Sequence, residues 1–290
     1  MDIIPGQVKG YYRSCPPKLT APFYRYIELG EPDMIRILKK VFSNSRQRIS
    51  SSGKTDTGRV RSHNEDNFCI LADRKVFVVA DGMGGHNAGE VASQIAIETL
   101  DKYLSREAIR RVKGNREEIR HVLIKGFHHT NDAVIKMAQE DESRNGMGCT
   151  LVSGLIDGNL LHTCHVGDAR CYIADEQSLK QVTNDHSVIA AYEEKARSGE
   201  TTELKRPPRQ VITRAIGFPF PEDPEYHWRE LQPGNRLLLC SDGLWSMMDD
   251  KQIHDILMSA ETTEQASDML IQEANVAGGT DNITAVVVYC

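Results

Sequence analysis

The chain has 290 residues, with 35 Lys and Arg against 41 Asp and Glu, a formal net charge of -6, and 40% hydrophobic and 26% charged residues. This is the balance of a soluble globular protein. It argues against nonspecific nucleic-acid binding, no apolar run approaches the ~20 residues of a membrane-spanning helix, and no basic-then-apolar leader opens the chain. Seven cysteines, at positions 15, 69, 149, 164, 171, 240 and 290, form no CxxC pair. That suits reduced thiols in a cytoplasmic compartment, not a disulfide framework or a structural zinc site.

Residues 1–53 read as an N-terminal extension and linker. Pro5, Pro16, Pro17, Pro22 and Pro32 interrupt the first part. Met34, Ile35, Leu38, Val41 and Phe42, behind Asp33 as a cap, predict a short amphipathic helix over 33–42. "SNSRQRISSSGKT" then reads as a linker. Six basic residues and no acid lie between Met34 and Thr55. The segment is open to two readings, a solvated tail or a docking segment for a partner or an anionic surface.

From residue 54 to 290 strands and helices mix. "FCILA", "KVFVVA", "NRLLLCS" and "ITAVVVY" read as strands, and "CTLVSGLI-DGN-LLHTCHVG" as a hairpin, with "ARCYIAD" following as a third strand. Helices are predicted over about 88–104, with Asn87 and Glu90 at capping-box spacing, and over about 116–140, 249–260 and 263–277, the last stopped by Gly278 and Gly279. Consecutive strand groups separated by helices indicate an α+β fold with packed sheets. Residues 187–213 are polar and carry Pro207 and Pro208. They read either as a flap over a site or as a surface insertion.

Acids punctuate the strand ends. Asp81 closes "VFVVA", Asp168 follows "LLHTCHVG", Asp242 follows "NRLLLCS", Asp281 precedes the final strand, and Glu65 and Asp66 precede "FCILA". One Asp-Gly after a strand is usually a turn. Several strands each delivering a carboxylate to one edge would repel unless protons or cations neutralise them. Oxygen donors select Mg²⁺ or Mn²⁺, whereas zinc wants His and Cys. Gly82 leaves its carbonyl free to face a cation. Two such ions can lower the pKa of a bridging water and clamp an in-line displacement at phosphorus. Arg61, four residues before Glu65, has the planar fork that matches phosphate oxygens.

The stretches "GRVRSHNED", "VVADGMGGH", "GMGCTLV", "HVGDARCY", "TNDHS", "VITRAIG", "LLCSDGLW" and "GGTDNITAVVV" resemble, in order, the bacterial branch of the PPM/PP2C metal-dependent protein phosphatases. The resemblance covers about residues 54–290. It implies a sandwich of two antiparallel β-sheets flanked by helices, with two Mn²⁺ or Mg²⁺ ions and a third position at one end. The implied reaction is hydrolysis of phosphoserine and phosphothreonine on proteins phosphorylated by a serine/threonine kinase. Nothing in the sequence demands more than a monomer, and the thiols and hydropathy above point to the cytoplasm and to a protein not integral to the membrane.

The resemblance also implies site roles. Asp81 bridges both ions and Gly82 gives its carbonyl to one. Asp242 and Asp281 hold the first ion, Glu65 acts on the second through water, and Asp66 supports the water shell. Asp168 joins Asp242 at the third position, and Arg61 binds phosphate. Eukaryotic relatives place a histidine as general acid directly after the Asp-Gly. Here Met83 stands there, and His86, three residues on, is the candidate acid.

Two rival readings need discriminating. Cys164, Gly167 and Arg170 in "CHVGDAR" match the C-x-x-G-x-x-R pattern of cysteine-dependent phosphatases. Asp168 would put a negative charge inside that phosphate loop, Cys164 lies within a strand pattern, and Thr163 replaces the expected histidine. A binding module on the same fold would lack the metal acids, whereas Asp81, Asp242 and Asp281 are all present.

Overall fold

Alternation inside the apolar runs decides which way each strand faces. In β3 (Val76–Met83), Phe77 and Val79 point into a cluster shared with Val286, Val288, Leu237 and Leu239, while Val76, Val78 and Ala80 point the other way, toward helices. The same split runs through β10 (Ile283–Tyr289) and β9 (Arg236–Cys240), whose opposite faces meet a different pair of helices. A strand buried on both faces shows a continuous apolar run, which is why these segments stand out in the sequence.

The computed structural model of the protein describes residues 49–84, 88–198, 207–208 and 211–290. The helix expected over 33–42, the cap at Asn87 and the candidate acid His86 lie outside them. In chain order the elements are β1 (Ser50–Asp56), β2 (Asp66–Leu71), β3, α1 (Ala88–Tyr103), α2 (Arg106–Val112), α3 (Arg116–Gln139), β4 (Gly148–Asp157), β5 (Leu160–Val166), β6 (Arg170–Ala174), β7 (Leu179–Gln181), α4 (Val188–Arg197), β8 (Glu225–Glu230), β9, α5 (Asp242–Trp245), α6 (Asp250–Ser259), α7 (Thr263–Val276) and β10. One sheet has the order β1-β10-β9-β6-β7 and the other β2-β3-β4-β5-β8, with every named pairing antiparallel. The sheets stack through the Phe77, Val152, Leu237 and Val286 cluster. Helices α1 and α3 cover one outer face and α6 and α7 the other. This is the expected sandwich of two antiparallel sheets flanked by helices. Each fully buried Val, Leu or Phe in it contributes on the order of 1.5–3 kcal/mol.

Several expectations need correction. The stretch read as a linker contains β1, which pairs along its whole length with β10, from Ser50↔Tyr289 to Asp56↔Ile283. Its sequence, SSSGKTD, is polar because it is an edge strand that is only half-buried. "ARCYIAD" is not a third neighbour of the hairpin. The chain leaves β5, crosses at Gly167 and Asp168, and β6 joins the opposite sheet beside β9. Gly167 has φ +101°, and a Cβ there would come within 2.5 Å of Thr150 Cβ, so the crossing needs glycine. Helix α2 and strands β7 and β8 were not anticipated. Segment 187–213 opens with a regular helix, α4, capped by Ser187. Its two ends are joined by the Ser187↔Ile212 bridge, with Val188 N–H donating to Val211 O at 2.8 Å.

Candidate metal centre

The strand directions gather the acids. β3, β5 and β9 end, and the antiparallel β2 and β10 begin, at one edge of the sandwich. Asp66 and Asp81 are direct partners across β2 and β3, and Asp81 faces Thr150 across β3 and β4. A cavity of about 320 Å³ opens at this edge. Glu65, Asp81, Asp168, Asp242 and Asp281 line it with Arg61 and Gly82. Every expected site residue among the described ones except Asp66 therefore faces one space.

Asp66 is placed behind it. Its Oδ2 accepts hydrogen bonds from Ser241 Oγ and Thr284 Oγ1, both at 2.7 Å, while its buried Oδ1 has no partner. Glu65 sits against the start of α1. Its carbonyl accepts from Gly82 N–H (3.1 Å) and Ser93 Oγ (2.6 Å), and a Cβ on Gly89 would lie 2.9 Å from its carboxylate oxygens. The N-terminus of a helix favours a carboxylate there. Gly82 is held where no side chain fits, because a Cβ would meet Gly89 O at 2.3 Å and Glu65 O at 2.5 Å. Arg61 is half-exposed and donates to Asp281 Oδ2 at 2.7 Å.

The loop carrying Arg61 and Glu65 is stapled to the start of β10 by one side chain. Asn282 Oδ1 accepts from Glu65 N–H at 2.8 Å, and its Nδ2 donates to Thr57 O at 2.9 Å and His63 O at 2.8 Å. Sequence reading passed over Asn282, and also Thr150 and Ile212, which line or support the cavity. Single polar or apolar residues beside an acid carry no distinctive signal. The buried hydroxyl of Thr150 has no hydrogen-bond partner among the described residues.

The electrostatics are those of crowded like charges. Burial, and then repulsion from Asp66, Asp242, Asp168 and Asp281, pushes Asp81 well above the usual carboxylate range. Burial moves Asp66 up to about 7 against the opposing donors Ser241 and Thr284. Asp168 rises to about 7 through burial and Asp242, and Asp242 to about 6 through burial and Asp281, with a hydrogen bond to Asp81 working the other way. Burial also raises Glu65, with Arg61 opposing. At neutral pH this constellation holds together with protons or with cations. The donors facing the cavity are oxygens, and Thr150 Oγ1 and Asp66 Oδ1 are unsatisfied, so the residues fit hard divalent cations.

The cysteine-phosphatase pattern does not assemble. Cys164 is wholly buried inside β5, and burial pushes its thiol well above its ordinary value. Gly167 N–H is used by His186 Nδ1 at 3.1 Å. Arg170 makes a two-pronged pair with Asp185 at 2.9 and 2.6 Å and stacks on Trp245 at 3.6 Å.

Residues 44–283 match the family model described as protein phosphatase 2C. The chain belongs to the protein phosphatase 2C family. It is a metal-dependent protein serine/threonine phosphatase. Serine/threonine phosphatase stp of Listeria welshimeri is 35% identical over 242 residues, covering 81% of this chain and 93% of that one. The serine/threonine phosphatase of S. agalactiae superposes with TM-score 0.74 at 31% identity, over 83% of this phosphatase and 99% of that chain. The catalytic domain of PstP, solved in complex with two manganese ions, superposes with TM-score 0.70 at 32% identity, over 83% and 97%.

Proposed function

We propose that this phosphatase hydrolyses phosphoserine and phosphothreonine on proteins at the carboxylate cavity, with Mn²⁺ or Mg²⁺ as its ions. The observation that carries this reading is the convergence of five carboxylates and Arg61 on one space. Asp81 is central and would contact both core ions, with the Gly82 carbonyl on one of them. Asp242 and Asp281 would hold the first ion. Glu65 would act on the second, and Asp66 would brace the shell behind Asp81. Asp168 with Asp242 would form the third position. When bound, such ions lower the pKa of a water and neutralise the oxygens of an in-line displacement at phosphorus.

The chain's own groups do the rest. Arg61 turns from Asp281 to the outer phosphate oxygens, to which its fork can donate two parallel hydrogen bonds. Met83 lines the cavity, but a thioether has no proton to give a departing serine oxygen. His86 is the proposed donor. Residues 187–213 act as a flap, since Ile212 at its base lines the same cavity. The phosphatase domain begins with β1, inside the stretch expected as part of the 1–53 extension, and the residues before β1 are read as that extension. The substrates are proteins phosphorylated by a serine/threonine kinase, which this phosphatase opposes as a monomer in the cytoplasm. Free thiols at Cys69, Cys149, Cys164, Cys171, Cys240 and Cys290 suit that compartment. Among the described residues no helix is long and apolar enough to cross a membrane.

The test is Asp242→Asn assayed on a phosphopeptide with Mn²⁺. Turnover should be lost, and full activity would refute the assignment. For His86, His86→Gln should slow phosphopeptide hydrolysis and leave p-nitrophenyl phosphate nearly unaffected, because nitrophenolate departs without a proton. Equal losses on both substrates would remove His86 from that role.

A further inference from the structure

A second cluster of ionisable groups lies beside the carboxylate centre and shares no residue with it. His165 comes from β5, and Glu225 and His227, two apart on β8, point to the same side of that strand. One ligand atom from each of these three residues falls within 4.8 Å of the other two. His165 Nε2 is 3.7 Å from Glu225 Oε2, and His227 Nε2 is 2.9 Å from Glu225 Oε1.

The hydrogen bonds around them assign the protons. Gly167 N–H donates to His186 Nδ1, so the proton of neutral His186 is on Nε2, which donates to Glu225 Oε2 at 2.9 Å. Asn184 Nδ2 donates to Glu225 Oε1 at 2.7 Å. His186 and Asn184 therefore orient the carboxylate. His165 Nε2 donates to Asn184 O at 2.7 Å, and its buried Nδ1 has no partner among the described residues. His227 Nε2 is also a buried atom, and among the described residues its one close neighbour is Glu225 Oε1, which it approaches without good hydrogen-bond alignment. One buried imidazole, His165, and one half-buried imidazole, His227, thus flank a carboxylate already fixed in place.

We infer that His165, His227 and Glu225 form a binding site for a transition-metal ion of zinc type, separate from the carboxylate centre. Two imidazoles and one carboxylate are borderline donors that suit Zn²⁺, in contrast to the oxygen-only set at the cavity. Three protein ligands leave a further position, and Asn184 O, beside His165 Nε2, is placed to share it. Binding at His165 Nε2 moves its proton to Nδ1 and replaces the hydrogen bond to Asn184 O with the bond to the ion. An open cleft lined by Asn184, His186, Thr213 and Glu225 gives the ion an entry path. The site would clamp β8 to the segment of His186, whose backbone N–H also donates to Gly167 O at 3.0 Å, one residue from Asp168.

The test uses the full chain, with excess Mg²⁺ to saturate the carboxylate centre, dialysed against Zn²⁺ and analysed for bound metal. Wild type and Asp242→Asn should each retain a stoichiometric zinc ion. His227→Ala and Glu225→Gln should bind it at least ~10-fold more weakly. In zinc-free buffer His227→Ala should keep wild-type Mn²⁺-supported turnover, which shows that it is folded. Unchanged zinc in His227→Ala would overturn the inference. So would loss of zinc on Asp242→Asn, which would locate the ion among the carboxylates.

Discussion

Two clusters of buried ionisable groups stand side by side in this molecule, and they solve the same problem in opposite ways. Around Asp81 the charges have one sign, and five carboxylates face one cavity with Arg61 as the neighbouring cation. Around Glu225 a single carboxylate is surrounded by donors from His186 and Asn184 and by the His227 ring. Burial raises Glu65, Asp81, Asp168 and Asp242 of the first. In the second, burial alone would raise Glu225, but the surrounding His186, His227 and Asn184 outweigh it and hold it well below the usual range. A like-charge cluster needs protons or cations to neutralise it, whereas in the mixed one the carboxylate already has its donors and only the imidazoles are left to take an ion.

The largest effect that could break this contrast is at Asp81. Asp81→Asn should lower turnover at least about a thousandfold, in line with the several kcal/mol a bound ion contributes. In chelator the same variant should unfold at a higher temperature than wild type, since one repelling charge is gone. A lower melting temperature in EDTA would mean that repulsion does not dominate the cavity. The opposite sign is expected at the other cluster. Glu225→Gln puts an amide N–H where a donor already points, and should destabilise the zinc-free protein by about 2 kcal/mol in denaturant titration. A neutral or stabilising result would place Glu225 with the crowded acids. The smallest effect concerns Arg61. Arg61→Ala should raise KM about tenfold, roughly the loss of one charge-assisted contact, with bound manganese unchanged. If both KM and kcat stay at wild-type values, phosphate is held elsewhere.

What the sequence disclosed follows the same physics. Strands buried on both faces, such as β3, β9 and β10, announce themselves as unbroken apolar runs. The polar edge strands β1 and β8 do not. SSSGKTD of β1 and EYHWRE of β8 are polar and partly exposed, and their pairing partners lie far along the chain. The sheet change after β5 was illegible because the pairing of β6 with β9 is nonlocal, and Gly167 alone does not announce a crossing. At the cavity the acids were legible because each follows or precedes an apolar run. Thr150 and Asn282 were not, since their importance lies in what they touch. The trio of His165, Glu225 and His227 gave only a faint sign, a Glu and a His two apart in a polar segment, and its third member lies 60 residues earlier.

The staple made by Asn282 has a consequence for the order of events during synthesis. The loop bearing Arg61 and Glu65 is among the first parts of the described fold to be made, yet its backbone is anchored to a side chain more than 200 residues later. β1 likewise waits for β10 as its pairing partner. A nascent chain that stops short of residue 281 lacks Asp281, the Asn282 anchor and the neighbour of β1 all at once. Any cut before residue 281 therefore removes one wall of the carboxylate cavity, the anchor of the Arg61 loop and the partner of β1 together.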